Sequence, residues 1–203
     1  MTSSIRRALR QWPLCCALAT LSMAVPVQAA QPIEAGGVSF APTQSVQQTA
    51  LVLNGAGVRY KTVFKVYAAG LYLEKPARTP AEVLTQPGKK RMEVRMLREI
   101  DSSELGKLFA RGMEDNMDKI AFSRLVPGVL RMSQIFSDHK KLDTGDVFLI
   151  DWVPGAGTII TVRGKQQGEP FKEPEFFNAL MGIWLGSQPA DWKLKDALLG
   201  KVD

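Results

Sequence analysis

Cysteine and histidine are almost missing from this chain. It has two cysteines, Cys15 and Cys16, side by side near its start, and one histidine, His139. Once the leader described below is cut away, no cysteine remains. That excludes a disulfide, a thiolate metal site and a cysteine nucleophile. One histidine without cysteine gives little basis for a zinc site or a histidine-based triad, so no metal and no cofactor are expected. His139 lies in Ser-Asp-His-Lys-Lys and reads as a solvated helix end, where a cation is favoured. The acids are scattered. Asp115 with Asp118, and Asp143 with Asp146, read as surface or turn residues rather than paired catalytic carboxylates. Pro154-Gly155-Ala156-Gly157 lacks the following helix and lysine of a phosphate loop and reads as a hairpin turn.

Long apolar runs are also lacking. Pro13 to Val27 comes nearest, and it is short of the roughly 20 residues that span a bilayer. Arg6, Arg7 and Arg10 precede it, and Val27-Gln28-Ala29 puts small residues around a cleavage point. Residues 1–29 are therefore expected to be a secretory signal peptide, with Ala30 as the alternative cut and a membrane anchor as the alternative reading. Leu14 stands where a lipoprotein signal needs a small residue before Cys15, so no lipid anchor is expected. Export implies a periplasmic location. The segment holds three arginines and no acid, so half of the formal +6 leaves with it. Nucleic acid is then an unsupported partner on charge and on compartment.

What remains, residues 30–203, is enough for one domain held by its core alone. No repeat or linker divides it. A short strand is expected at Val38 to Phe40, then strands at Leu51 to Leu53 and Val63 to Leu73. In the longer strand Phe64, Val66, Ala68, Gly70 and Tyr72 share one face, and Lys65, Tyr67, Ala69, Leu71 and Leu73 the other. Gly70 marks either a bulge or a place where another group packs closely. Thr79-Pro80-Ala81-Glu82 has the form of a capping box with proline at the first helical position. Arg91 to Arg98 alternates, with Met92, Val94 and Met96 inward. Lys89-Lys90-Arg91 before it reads as a solvated strand start. Asp101 opens a helix bearing Leu105, Leu108, Phe109 and Met113 at helical spacing. A second helix over Ile120 to Phe136 is expected to break or kink at Pro127-Gly128. Asp146 to Val153 and Thr158 to Val162 form a hairpin, and Pro174 to Leu185 an apolar helix. Strands on both sides of a helical middle argue an α+β fold with a mostly antiparallel sheet.

The stretch Leu51 to Glu74 carries most of the functional information. Asn54-Gly55-Ala56-Gly57-Val58-Arg59 reads as a glycine-rich turn that holds one permanent positive charge beside a half-apolar sheet. A planar guanidinium there can pair a carboxylate or phenolate in a bidentate manner, and apolar walls strengthen that contact by lowering the local dielectric. A solvated turn arginine is the plain alternative. Tyr67 is either a packed core tyrosine or a second donor to the same anion. It reaches the rim of one site with Arg59 only if the chain doubles back between them. Met113, Met117, Met132 and Met181 read as core filler.

These residues, with Phe64-Lys65-Val66-Tyr67-Ala68-Ala69-Gly70-Leu71-Tyr72-Leu73-Glu74, resemble the chalcone isomerase-like family, and more narrowly its bacterial exported branch. The resemblance covers most of residues 33–200. It implies an open-faced β-sandwich, a large antiparallel sheet covered by a helical layer, with a ligand cleft between them. Plant members of the family are intramolecular lyases that close a chalcone to a flavanone, and related non-catalytic members bind fatty acids. Arg59 matches the family's arginine, which meets the phenolate in the enzymes and a carboxylate in the binders. Lys65 matches a family lysine. The enzymes have a threonine where this chain has Tyr67, and their helix tyrosine and asparagine align with Leu105 and Gly112. Asn116 substitutes for the latter if the register shifts by one helical turn. Arg59, Tyr67 and Asn116 are thus the candidate ligand contacts, with Arg59 as the catalytic candidate if the chain is a lyase. The expected partner is a small hydrophobic anion.

Overall fold

The structure, a computed structural model, describes residues 31–201. The expected signal segment lies outside the described residues. In chain order the elements are β1 (Ile33–Ala35), β2 (Val38–Phe40), β3 (Thr43–Val46), β4 (Thr49–Lys61), β5 (Phe64–Leu73), α1 (Pro80–Thr85), β6 (Lys90–Met96), β7 (Ile100–Asp101), α2 (Ser102–Glu114), α3 (Lys119–Ser137), β8 (Lys141–Leu142), β9 (Val147–Val153), β10 (Gly157–Val162), β11 (Lys165–Gln166), α4 (Pro174–Leu185) and α5 (Trp192–Leu198). Seven strands form one antiparallel sheet in the order β11-β10-β9-β6-β5-β4-β3. The fold is α+β, a curled antiparallel sheet with helices over one face.

Period-two alternation divides the sheet between two cores. Tyr67, Ala69, Leu71 and Leu73 of β5 meet the helices together with Met92, Val94, Phe148 and Ile150. Ala68 and Tyr72 belong to a smaller outer core with Phe40, Ala56 and Val153. A Cβ on Gly70 would lie 2.6 Å from the Phe40 ring, so of the bulge and the close neighbour it is the close neighbour, Phe40, that this glycine serves. The α1 capping box forms as expected: Thr79 accepts from the Glu82 N–H, and the Glu82 carboxylate accepts from the Thr79 N–H. Asp101 caps α2 by accepting from Ser103 and Glu104 N–H groups.

Three local expectations change. Asn54 to Arg59 is not a turn, because β4 runs unbroken from Thr49 to Lys61 and the reversal comes at Thr62 (φ 60°) and Val63. The glycines serve a different purpose. A Cβ on Gly55 would sit 2.0 Å from the Ala197 carbonyl oxygen, and one on Gly57 would sit 2.8 Å from the Ala197 Cβ, so their bareness lets α5 lie directly on β4. Asn54 secures the same junction by bonding the Ala77 N–H and carbonyl and the Leu198 carbonyl. The second concerns Pro127, where of the break and the kink expected the break does not occur: the residue lies within the single helix α3.

The third is the basic run at β6. Lys90 is buried against the Phe177 ring, and burial lowers its pKa. Arg91 pairs in bidentate fashion with Asp151, directly across from it on β9, at 2.6 and 2.7 Å. Alternation places Arg91 on the outer face, but Gln44 and the Asp151 carboxylate take it out of water.

Candidate functional site

The β4–β5 hairpin supplies the doubling back that the site requires. Its register sets Arg59 directly opposite Tyr67, and directly opposed residues project from the same face of a sheet. That face is the helical one. The guanidinium carbon of Arg59 lies 5.6 Å from the centre of the Tyr67 ring. A bulge between Arg59 and Tyr60 follows immediately, and the Tyr60 N–H bonds the Asp191 carboxylate at 2.9 Å, tying the hairpin to the start of α5.

Arg59 and Tyr67 share a hollow of about 310 Å³ between the hairpin, α2, and the end of α4 with the loop after it. Helical spacing brings Leu105, Leu108, Phe109 and Gly112 to its α2 wall. Ile183, Pro189 and Ala190 form much of the opposite side, and Arg111, Asp115 and Gln188 are its polar lining residues. A second hollow of about 220 Å³ adjoins Arg59 and Leu108, with Lys61, Arg98, Glu99, Asp101 and Glu104 in its lining. Arg59 therefore stands between a mostly apolar space and a charged one.

The polar atoms of this pair are not fully used within the protein. The Nε of Arg59 is sealed from water and has no hydrogen-bond partner among the described residues. A buried donor left this way costs free energy. Tyr67 is 3% exposed. Its hydroxyl accepts from the Trp184 indole N–H at 2.8 Å, so its own proton remains to be donated. Burial pushes the phenol up to about 12, against the opposing pull of the Arg59 charge and the Trp184 hydrogen bond. At neutral pH the group is a neutral donor beside a cation. Together they suit an oxyanion.

Asn116 is not brought to this site. Its side-chain amide donates to the Gly112 and Gln188 carbonyls at 2.9 Å each and accepts from the Gln188 N–H at 2.8 Å. It clasps the end of α2 to the loop after α4 and faces a separate groove with Leu84, Met117 and Gly182. Leu105 and Gly112, aligned with the tyrosine and asparagine of the plant enzymes, do line the hollow. A Cβ on Gly112 would come within 3.1 Å of Ile183, so the site is closely packed where a polar side chain would have to stand. His139 is half-buried, with Nε2 sealed from water and without a hydrogen-bond partner among the described residues, rather than fully solvated.

Trp184, Ile183, Pro189 and Ala190 belong to the site although no local pattern singled them out. Tyr67 and Trp184 are separated by 117 residues, and Ile183 and Trp184 look like any other apolar positions of α4. Only the packing of α4 against β5 gives them a role.

The fold and the hollow together give a cleft between a curled antiparallel sheet and its helical layer. Residues 32–200 match the family model described as chalcone isomerase-like, and the chain belongs to that family. Among solved structures it is similar to a fatty-acid binding protein of Arabidopsis thaliana, with a TM-score of 0.63 and 17% identity over 80% of this chain and 92% of that one. A search of curated proteins finds no match.

Proposed function

We propose that this protein is a non-catalytic binder of a hydrophobic carboxylate or phenolate, such as a fatty acid, and that it works in the periplasm as an exported bacterial member of its family. Residues 1–29 are its signal peptide in this reading, and the domain of residues 30–203 keeps no stable membrane anchor after cleavage. The observation that carries the binding reading is that the Arg59 cation and the Tyr67 hydroxyl, whose proton is free, stand together at one end of a mostly apolar hollow. An anion would satisfy both, and its apolar body would cover Leu105, Leu108 and Phe109. The fatty-acid binding neighbour supports the same class of ligand.

The competing reading is an intramolecular lyase of the chalcone-to-flavanone type with Arg59 as its catalytic residue. It would have Arg59 to hold a phenolate, but Leu105 and Gly112 offer no side-chain donor to a ketone. The binder reading is therefore preferred. Native mass spectrometry of the mature protein, purified without detergent, tests it: a co-purifying acid that is lost from Arg59→Ala is expected. Hydroxychalcone consumed well above the buffer rate would favour the lyase.

A further inference from the structure

Resting on the binder reading, we infer that the ligand is compact: an oxyanion carried on a single ring or a short alkyl chain, with Phe109 as the residue that sets the size limit. The hollow does not continue into the space between sheet and helices, because four aromatic rings fill that space. Phe109 lies 5.2 Å from Phe136, 5.7 Å from Phe148 and 5.6 Å from Trp184, centre to centre. Phe136 and Phe148 meet edge to face at 5.6 Å. All four rings are almost wholly buried, at 3%, 0%, 0% and 1% exposure in the order Phe109, Phe136, Phe148, Trp184. The hydrogen bond from Trp184 to Tyr67 locks the inner end of the site to this cluster.

The flanks are closed in the same way. α2 and α4 approach closely at Gly112 and Ile183, where a single added Cβ would be crowded. Beyond Arg59 the adjoining hollow is charged, lined by Lys61, Arg98, Asp101 and Glu104, and rejects an alkyl tail. What is left for the apolar body is about 310 Å³, near the lower bound of roughly 300 Å³ for small-ligand sites. A longer tail would have to lie in water, where added methylenes gain nothing.

Calorimetry of the mature protein with a series of linear carboxylates from butanoate to hexadecanoate tests this. While the tail is being buried, each methylene should tighten binding by roughly fourfold. The expected profile rises over the short acids and is flat by dodecanoate in the wild-type protein. Phe109→Ala, or the milder Phe109→Leu if alanine fails to fold, should move the break to longer acids. A wild-type affinity that climbs without a break to hexadecanoate overturns the size limit and leaves the binder reading standing. No binding of any acid overturns the binder reading itself, and binding of all of them unchanged by Arg59→Ala overturns Arg59 as the anchor of the anion.

Discussion

The indole N–H of Trp184 donates to the hydroxyl of Tyr67 at 2.8 Å across 117 residues of sequence, inside the core. This bond sets the hydroxyl's polarity, because an oxygen that accepts from the indole keeps its proton for the hollow. It also gives Tyr67 a structural role besides its place in the lining of the hollow. Tyr67→Phe removes the acceptor and leaves a buried indole N–H unpaired, which costs about 1–3 kcal/mol. Urea denaturation should show a lowered midpoint with an unchanged slope. A variant as stable as the wild type would mean that the indole has another partner.

The buried phenol also gives the stability a defined alkaline limit. The pKa of Tyr67 rises from 10.0 to about 12 on folding, chiefly through burial. The folded state therefore holds the proton more tightly than the unfolded state. The stabilisation is complete below pH 10 and is lost as pH rises from about 10 through 12, by about 2–3 kcal/mol for this group. Tyr72, also raised to about 12, steepens the loss over the same window. Stability measured against pH should fall there and should fall less in Tyr67→Phe. A flat profile to pH 12 would contradict the buried, neutral phenol.

Gly55 separates the strand reading from the turn reading of Asn54 to Arg59. In a solvent-facing turn an added methyl group meets little. Here it would strike the Ala197 carbonyl oxygen at 2.0 Å and push α5 off β4. Gly55→Ala should destabilise by about 1–3 kcal/mol, the usual range for overpacking, in chemical or thermal unfolding. An unchanged midpoint would place α5 away from the strand.

Arg91 and Asp151 test the outer face. Their side chains are 14% and 8% exposed and bond in bidentate fashion. Asp151→Ala leaves a guanidinium half-sealed without its anion and should cost about 3–5 kcal/mol. The double change Arg91→Met with Asp151→Leu should cost much less. Equal losses in the single and double variants would mean that the pair is worth only its volume.

Much of the framework can be read directly from residue order. The capping box at Thr79, the alternation through Met92, Val94 and Met96, and the spacing of Leu105, Phe109 and Met113 are local signals with a local cause, and each yields the element observed. What misleads is a residue whose reason lies far away. Gly55 and Gly57 have the composition of a turn because both turns and close helix approaches require a missing Cβ. Lys90 and Arg91 look solvated because their cover, Phe177 and Asp151, comes late in the chain. Asn116 offers an amide on the right helix, yet the loop after α4 uses it up. The pairing of Arg59 with Tyr67 required only that the hairpin close, whereas the aromatic floor beneath them depends on α2, α3, β9 and α4 meeting at one point.

The most direct test of the account is calorimetric titration of the mature protein and of Arg59→Ala with octanoate and with its methyl ester. The acid should bind the wild-type protein, and Arg59→Ala should weaken it about tenfold to a hundredfold, the scale of a lost charge-assisted hydrogen bond. The ester should bind the wild-type protein far more weakly than the acid and should be indifferent to the substitution. An ester that binds as tightly as the acid, or an Arg59→Ala variant that keeps its affinity for octanoate, would contradict the claim that Arg59 is the anchor for an anion.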